Sequence, residues 1–126
     1  DLVEMCLAAL DKRLDKILVE WDSRPALGVV MAAGGYPEGY AKGEPISGLP
    51  DQGQEDLKVF HAGTILKEGL VVTNGGRVLC VTALGATVSE AQKKAYALAG
   101  QIKWKNVYYR TDIGYRAIER EGHLTG

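Results

Sequence analysis

Thr73-Asn74-Gly75-Gly76-Arg77-Val78-Leu79-Cys80-Val81-Thr82-Ala83-Leu84-Gly85 reads as a turn running into a strand, and the reading of this stretch decides the fold. Its Asn-Gly-Gly triplet is hairpin chemistry, because tight turns need positive φ at central positions, where Gly and Asn meet little steric penalty. Leu70-Val71-Val72 precedes it and Val78-Leu79-Cys80-Val81 follows, so the expected element is a hairpin between two apolar strands. Arg77 then stands at the hairpin mouth. A cation on a rigid turn beside exposed backbone N–H groups suits an anionic ligand, phosphate above all. The plain alternative is an Arg that only solvates a strand end.

Towards the N-terminus, Leu2, Cys6, Leu10, Leu14, Ile17 and Trp21 recur at three- or four-residue spacing. This pattern predicts an amphipathic helix over residues 1–21, closed off by Pro25. Residues 26–33 form a continuous apolar run between Pro25 and Gly34-Gly35, the pattern of a fully buried strand. The span 34–57 carries Gly34, Gly35, Gly39, Gly43, Gly48 and Gly53 with Pro37, Pro45 and Pro50, and reads as one long loop. Loops beyond ~12–15 residues in a compact domain are usually functional or disordered. Gly34-Gly35 either brings backbone N–H groups close to a ligand or only shapes the turn; no helix-opening pattern follows to make a dinucleotide fingerprint or P-loop.

Towards the C-terminus, strands over 58–62, 70–73 and 77–84 are expected to form a meander. Thr87-Val88-Ser89-Glu90 has capping-box spacing, and Val88, Ala91, Ala95, Leu98 and Ile102 mark the buried face of the helix that follows, with Gly100 near its end. Residues 107–109 read as a last strand and 113–120 as a short helix, with a frayed tail from Gly122. The expected class is α+β: an N-terminal amphipathic helix, then a small antiparallel β-sheet or meander with one or two packing helices.

With 126 residues, 46% hydrophobic and 25% charged, the chain fits one domain with a modest core. A formal net charge of -1 argues against general affinity for nucleic acid, which needs a basic excess. No apolar run reaches the ~18 residues that a membrane helix requires, and no signal peptide opens the sequence. Cys6 and Cys80 read as reduced core residues rather than a disulfide or metal pair, which suggests a cytoplasmic setting. The histidines are His61 and His123; neither lies in a pattern that makes a nucleophilic triad or a metal site. His61 is read as a structural hydrogen-bonder, with a base or phosphate contact as the alternative. Glu38, Glu44, Asp51, Glu55 and Asp56 are scattered along the loop, as solvating charges are. No catalytic and no metal-ligating residue is assigned.

Four separated blocks add a family resemblance: Leu27-Gly28-Val29-Val30-Met31-Ala32-Ala33-Gly34-Gly35-Tyr36-Pro37, Val59-Phe60-His61-Ala62-Gly63-Thr64, the opening stretch, and Asp112-Ile113-Gly114-Tyr115-Arg116-Ala117-Ile118. In this order they resemble the C-terminal portion of the glycinamide ribonucleotide synthetases, the phosphoribosylamine-glycine ligases of the ATP-grasp group, over residues 1–121. The resemblance implies a much longer parent enzyme that joins 5-phosphoribosylamine to glycine in purine biosynthesis, with ATP cleaved to ADP and phosphate. It implies that residues 1–24 are the terminal helix of an upstream ATP-grasp core and 25–126 the C-terminal domain. ATP and magnesium would be bound mainly by the upstream domains, with none held by this chain. Those domains, phosphoribosylamine and glycine are the implied partners, without nucleic acid or membrane.

In that scheme this domain helps to close the cleft and to hold the phosphoribosyl group. The substrate-binding candidates are Arg77 first, then Gly34, Gly35, Thr64, Asn74 and Gly76, and the isolated chain is expected to be inactive as a ligase. The alternatives are a stand-alone small-ligand binding module and an interaction domain that dimerises through its N-terminal helix.

Overall fold

The computed structural model describes residues 1–124. Its strands are β1 (Ala26–Ala32), β2 (Leu57–His61), β3 (Thr64–Lys67), β4 (Leu70–Thr73) and β5 (Arg77–Leu84), and its α-helices are α1 (Leu2–Leu10), α2 (Val88–Ala99) and α3 (Tyr115–Leu124). One antiparallel sheet has the order β1-β5-β2, and β3 pairs with β4 in a separate two-stranded sheet. The class is α+β, as the sequence patterns predict.

The core lies between one face of the larger sheet and α2. Leu27, Val29 and Met31 from β1, Leu79, Val81 and Ala83 from β5, and Ala91, Ala95 and Ala99 from α2 are buried together. Alanines at four-residue spacing let the helix lie close on the sheet, and Ile102 and Trp104 extend the same cluster beyond the helix. Strand β1 is not buried on both faces, contrary to the reading of its unbroken apolar run. Its burial alternates, with Ala26, Gly28 and Val30 exposed. The residues on the open face are small or apolar too, so the period of two is invisible in hydrophobicity alone.

The capping box forms in part: Thr87 Oγ1 accepts the Glu90 N–H at 3.1 Å, and Glu90 Oε2 reaches back past the cap to the Ala86 N–H at 3.0 Å. Another N-terminal amide of α2, that of Val88, donates to Glu121 Oε1 from α3 at 2.8 Å. That tie explains a correction: α3 continues through Leu124 where a frayed tail from Gly122 is expected, and residues 125–126 lie outside the described residues. The expected last strand at 107–109 is a single bridge, in which Ala32 and Tyr108 exchange two backbone hydrogen bonds of 2.7 and 3.0 Å.

The N-terminal helix is much shorter than its periodicity suggests. It stops at Leu10, Lys12 adopts a φ of 55°, and a single 3-10 turn at Leu14–Lys16 leads into irregular chain. Leu2, Leu10, Leu18 and Trp21 stay 73–85% exposed. Nothing among the described residues covers this stripe, and isolated helices below ~12–15 residues are marginal without tertiary packing. Cys6 on this helix is exposed, and Cys80 is half-buried on the open sheet face; both are free thiols, but neither is a core residue.

The junction that follows is held by charge. Arg24 pairs with Asp22 and Asp56, and Lys94 of α2 pairs with Asp56 and Glu90. The side-chain hydrogen bond from Arg24 is the main reason that the Asp22 carboxyl is lowered to about 2.

The 34–57 span is mostly irregular, yet it is anchored. Gly43 N–H donates to Thr73 O, Ile46 N–H to Val71 O, and Ser47 N–H to Lys103 O, with lengths of 2.6, 2.9 and 2.9 Å. Protection from hydrogen exchange is therefore expected at Gly43, Ile46 and Ser47 and rapid exchange at Gly39 and Gly53, the latter two having no backbone acceptor among the described residues. Uniform fast exchange across the whole span would contradict these anchors. Among the described residues, no helix is long and apolar enough to cross a membrane.

Candidate functional site

The Asn74-Gly75-Gly76 segment does not close a hairpin. Strands β4 and β5, which it joins, belong to different sheets, and none of its three residues has positive φ. Hairpin turn chemistry instead sits at Glu68-Gly69 between β3 and β4, with φ of 51° and 80°. The glycines of the opening stretch serve close approach. A Cβ on Gly63 would lie 2.5 Å from Arg77 O and 3.0 Å from Gly75 Cα, and a Cβ on Gly76 would run into the Tyr36 ring.

Three strand-end loops converge here because their backbones are laced together. Asn74 N–H donates to Gly63 O at 2.8 Å, Ala62 and Gly63 N–H both donate to Val78 O at 3.0 Å, and Ala33 N–H donates to Gly76 O at 2.8 Å. Pairing of β1 with β5 shifts register between Met31 and Ala32, whose partners are Leu79 and Arg77, so Val78 is an extra residue in β5. The bulge has a directional consequence. In an unbroken alternation Arg77 would share the core face with Leu79 and Val81; with Val78 inserted and buried beside Leu79, Arg77 is turned out to the open face.

Arg77, Thr64, Asn74 and Gly76 line one open cleft of about 570 Å³ with Tyr36, Ala62, Gly63 and Gly75, and Val30 and Cys80 from the open sheet face also line it. Among the described residues Arg77 has no ion pair, and the N–H groups of Gly75 and Gly76 have no acceptor. His61 Nδ1 lies 2.9 Å from Thr64 Oγ1. A guanidinium without an ion pair, beside glycine backbone and the threonine that contacts His61, lines an open space that suits an anionic oxygen group, with the planar guanidinium fork matched to phosphate. No group of three or more His, Cys, Asp or Glu side chains could hold a metal ion among the described residues.

Gly34 and Gly35 stand outside this cleft. Gly34 packs against Asn106, where a Cβ would lie 2.6 Å from Asn106 O, and Gly35 turns the chain with φ of 93°. Both therefore bear on the site only through their neighbours Ala33 and Tyr36. Gly63, Gly75 and Tyr36 also line the cleft, beyond the residues that the sequence points to. Their signal was weak, since close backbone approach and an aromatic wall leave no periodicity to read. Replacing Gly63 by Ala is expected to force the Arg77 and Gly75 backbones apart at a cost of about 1–3 kcal/mol, read as a lower thermal midpoint. An unchanged midpoint would show that the lacing is looser than described.

A second cleft, of about 220 Å³, is lined by His61 and by Leu49, Pro50, Leu57, Val59 and Leu98 with Gln52, Gln54 and Lys58.

Residues 26–116 match the family described as phosphoribosylglycinamide synthetase, C domain. Over 121 residues the chain is 64% identical to a phosphoribosylamine-glycine ligase of Vibrio vulnificus, covering 96% of this chain and 28% of that protein. The same named enzyme of Pseudomonas aeruginosa is 62% identical over 120 residues, 95% of this chain and again 28% of the relative. A crystal structure of the phosphoribosylamine-glycine ligase of Thermotoga maritima superposes with a TM-score of 0.70 at 38% identity, covering 86% of this chain and 27% of that one. The chain thus spans about 28% of the length of the curated relatives it matches.

Proposed function

The chain belongs to the phosphoribosylglycinamide synthetase C-domain family, and from that premise we propose that it acts as the C-terminal domain of a phosphoribosylamine-glycine ligase. In that role it helps to close the active site and holds the phosphate of 5-phosphoribosylamine, while ATP and magnesium are bound mainly by ATP-grasp domains elsewhere in the enzyme. The observation that carries the reading is the outward-turned Arg77 on one cleft with Thr64, Asn74, Gly75 and Gly76, where the N–H groups of the two glycines have no acceptor among the described residues. Arg77, Thr64, Asn74 and Gly76 are the proposed substrate-binding residues, and Gly34 and Gly35 act at one remove, by placing Ala33 and Tyr36.

The chemistry is consistent with such a division of labour. A carboxylate becomes an electrophile only when its oxygen is made a good leaving group, which ATP supplies as an acyl phosphate, and the amine then attacks. A domain that fixes the phosphate end of the amine substrate contributes positioning. Residues 1–24 are proposed to pack on the upstream core, an arrangement supported by the exposed stripe of Leu2, Leu7, Leu10, Leu18 and Trp21, and 25–126 to form the C-terminal domain. The setting is proposed to be cytoplasmic.

Mixing the chain alone with ATP, glycine and phosphoribosylamine is expected to release no ADP above a heat-killed control. Joined to the nucleotide-binding lobes of a relative, it should support ADP formation that requires both other substrates. ADP release by the chain alone, or failure of the joined protein while it is folded, would overturn the assignment.

A further inference from the structure

His61 links the two clefts by contact: it lines the smaller one with Leu57, Val59 and Leu98, and its Nδ1 is 2.9 Å from the hydroxyl of Thr64, a residue that lines the Arg77 cleft. We propose that His61 is a positioning residue whose Nδ1 proton sets the hydrogen-bonding sense of the Thr64 hydroxyl, so that anion binding in the Arg77 cleft and a proton on Nδ1 promote one another. The inference rests on the reading of that cleft as an anion site.

The coupling follows from a count of hydrogens. A threonine hydroxyl has one hydrogen to donate and lone pairs to accept with. When Nδ1 is bare, the short contact requires Thr64 to donate its hydrogen to the ring, and only lone pairs are left for the cleft, where they repel an anion. When Nδ1 carries a hydrogen, the ring donates, Thr64 accepts, and the hydroxyl hydrogen is free to point at an anionic oxygen beside Arg77. Either the Nδ1–H neutral tautomer or the imidazolium satisfies this, with the extra proton in the second case taken from solvent. Among the described residues, the charged groups lining the two clefts beside the ring are Lys58 and Arg77, and no carboxylate lines either cleft. A bound phosphate would therefore bring a negative charge to a lining that supplies none among the described residues. Because the coupling is thermodynamic, the factor by which an Nδ1 proton strengthens binding equals the factor by which binding favours that proton.

The test is to follow the imidazole nitrogens of His61 and the backbone amides in the nitrogen-15-labelled chain, at constant neutral pH, while ribose 5-phosphate is added. The expected result is a saturable move of the Nδ1 resonance towards its protonated position, with the same ligand dependence as the amide shifts of Gly75 and Gly76. Thr64→Ser should keep the response. Thr64→Val should abolish it at His61 while the two amides still shift, at several-fold higher ligand concentration. If the amides saturate and Nδ1 stays where it was, or if Nδ1 still responds in Thr64→Val, the coupling is overturned although the cleft reading stands. If no amide responds, both fall.

Discussion

In the full ligase carrying this domain, Arg77→Ala is expected to raise the apparent KM for phosphoribosylamine roughly 10- to 100-fold, the loss of a charge-assisted pair worth about 1.5–3 kcal/mol. The KM values for glycine and ATP should be little changed, because neither meets this cleft in the proposed arrangement. Arg77→Lys should recover only part of the loss, since an ammonium keeps the charge but not the planar fork. The variant should remain folded, because Arg77 has no ion pair to lose among the described residues and its side chain points out of the sheet. Steady-state kinetics with each substrate varied in turn, on protein whose melting has been checked, reads the result. An unchanged phosphoribosylamine KM would return Arg77 to the role of a solvated strand end.

A second large effect is expected in the core. Leu79 lies on the central strand β5 and is fully buried, so Leu79→Ala should cost about 2–5 kcal/mol through lost burial and a residual cavity. Val30 is on the neighbouring strand but faces the other way and is 46% exposed; Val30→Ala should cost well under the ~1.5 kcal/mol at the lower end of full Val burial. Denaturant unfolding of the two variants compares them directly. Equal losses would mean that the open face of the sheet is covered in solution and that β1 is buried on both sides, as its apolar run alone suggests.

The elements that the sequence disclosed were those with a local chemical cause. Thr87 and Glu90 announced the start of α2, the alanines at four-residue spacing gave its buried face, and the density of Gly and Pro marked 34–57 as irregular. Where the outcome depends on a distant partner, local pattern misled. The Asn74-Gly75-Gly76 triplet has hairpin composition, yet its glycines are there because Gly63 and Tyr36 press against them, a contact between segments that no window of sequence contains. Strand β3 has no signal of its own in the sequence, where Thr64–Lys67 reads as the connection between two apolar runs. The stripe of residues 1–21 keeps helical spacing, but its surface finds no cover among the described residues and the helix ends at Leu10.

The site shows the same division. Arg77 was legible as a cation on a turn, and Thr64, Asn74 and Gly76 do join it in one cleft. The device that aims it was not legible, because the bulge at Val78 depends on the register between β1 and β5. Gly34-Gly35 leaves ligand contact and turn geometry open as readings of the sequence; Gly35 turns the chain with φ of 93° and Gly34 packs against Asn106.

Whether the Arg77 cleft receives a phosphate is read from an amide spectrum of the labelled chain titrated with ribose 5-phosphate and, separately, with ribose. Saturable shifts are predicted at Thr64, Gly75, Gly76 and Arg77 with the phosphorylated sugar, absent with ribose and lost in Arg77→Ala, while Gly39 and Gly53 stay still. Equal shifts with the two sugars, or shifts centred on residues outside this cleft, would contradict the account.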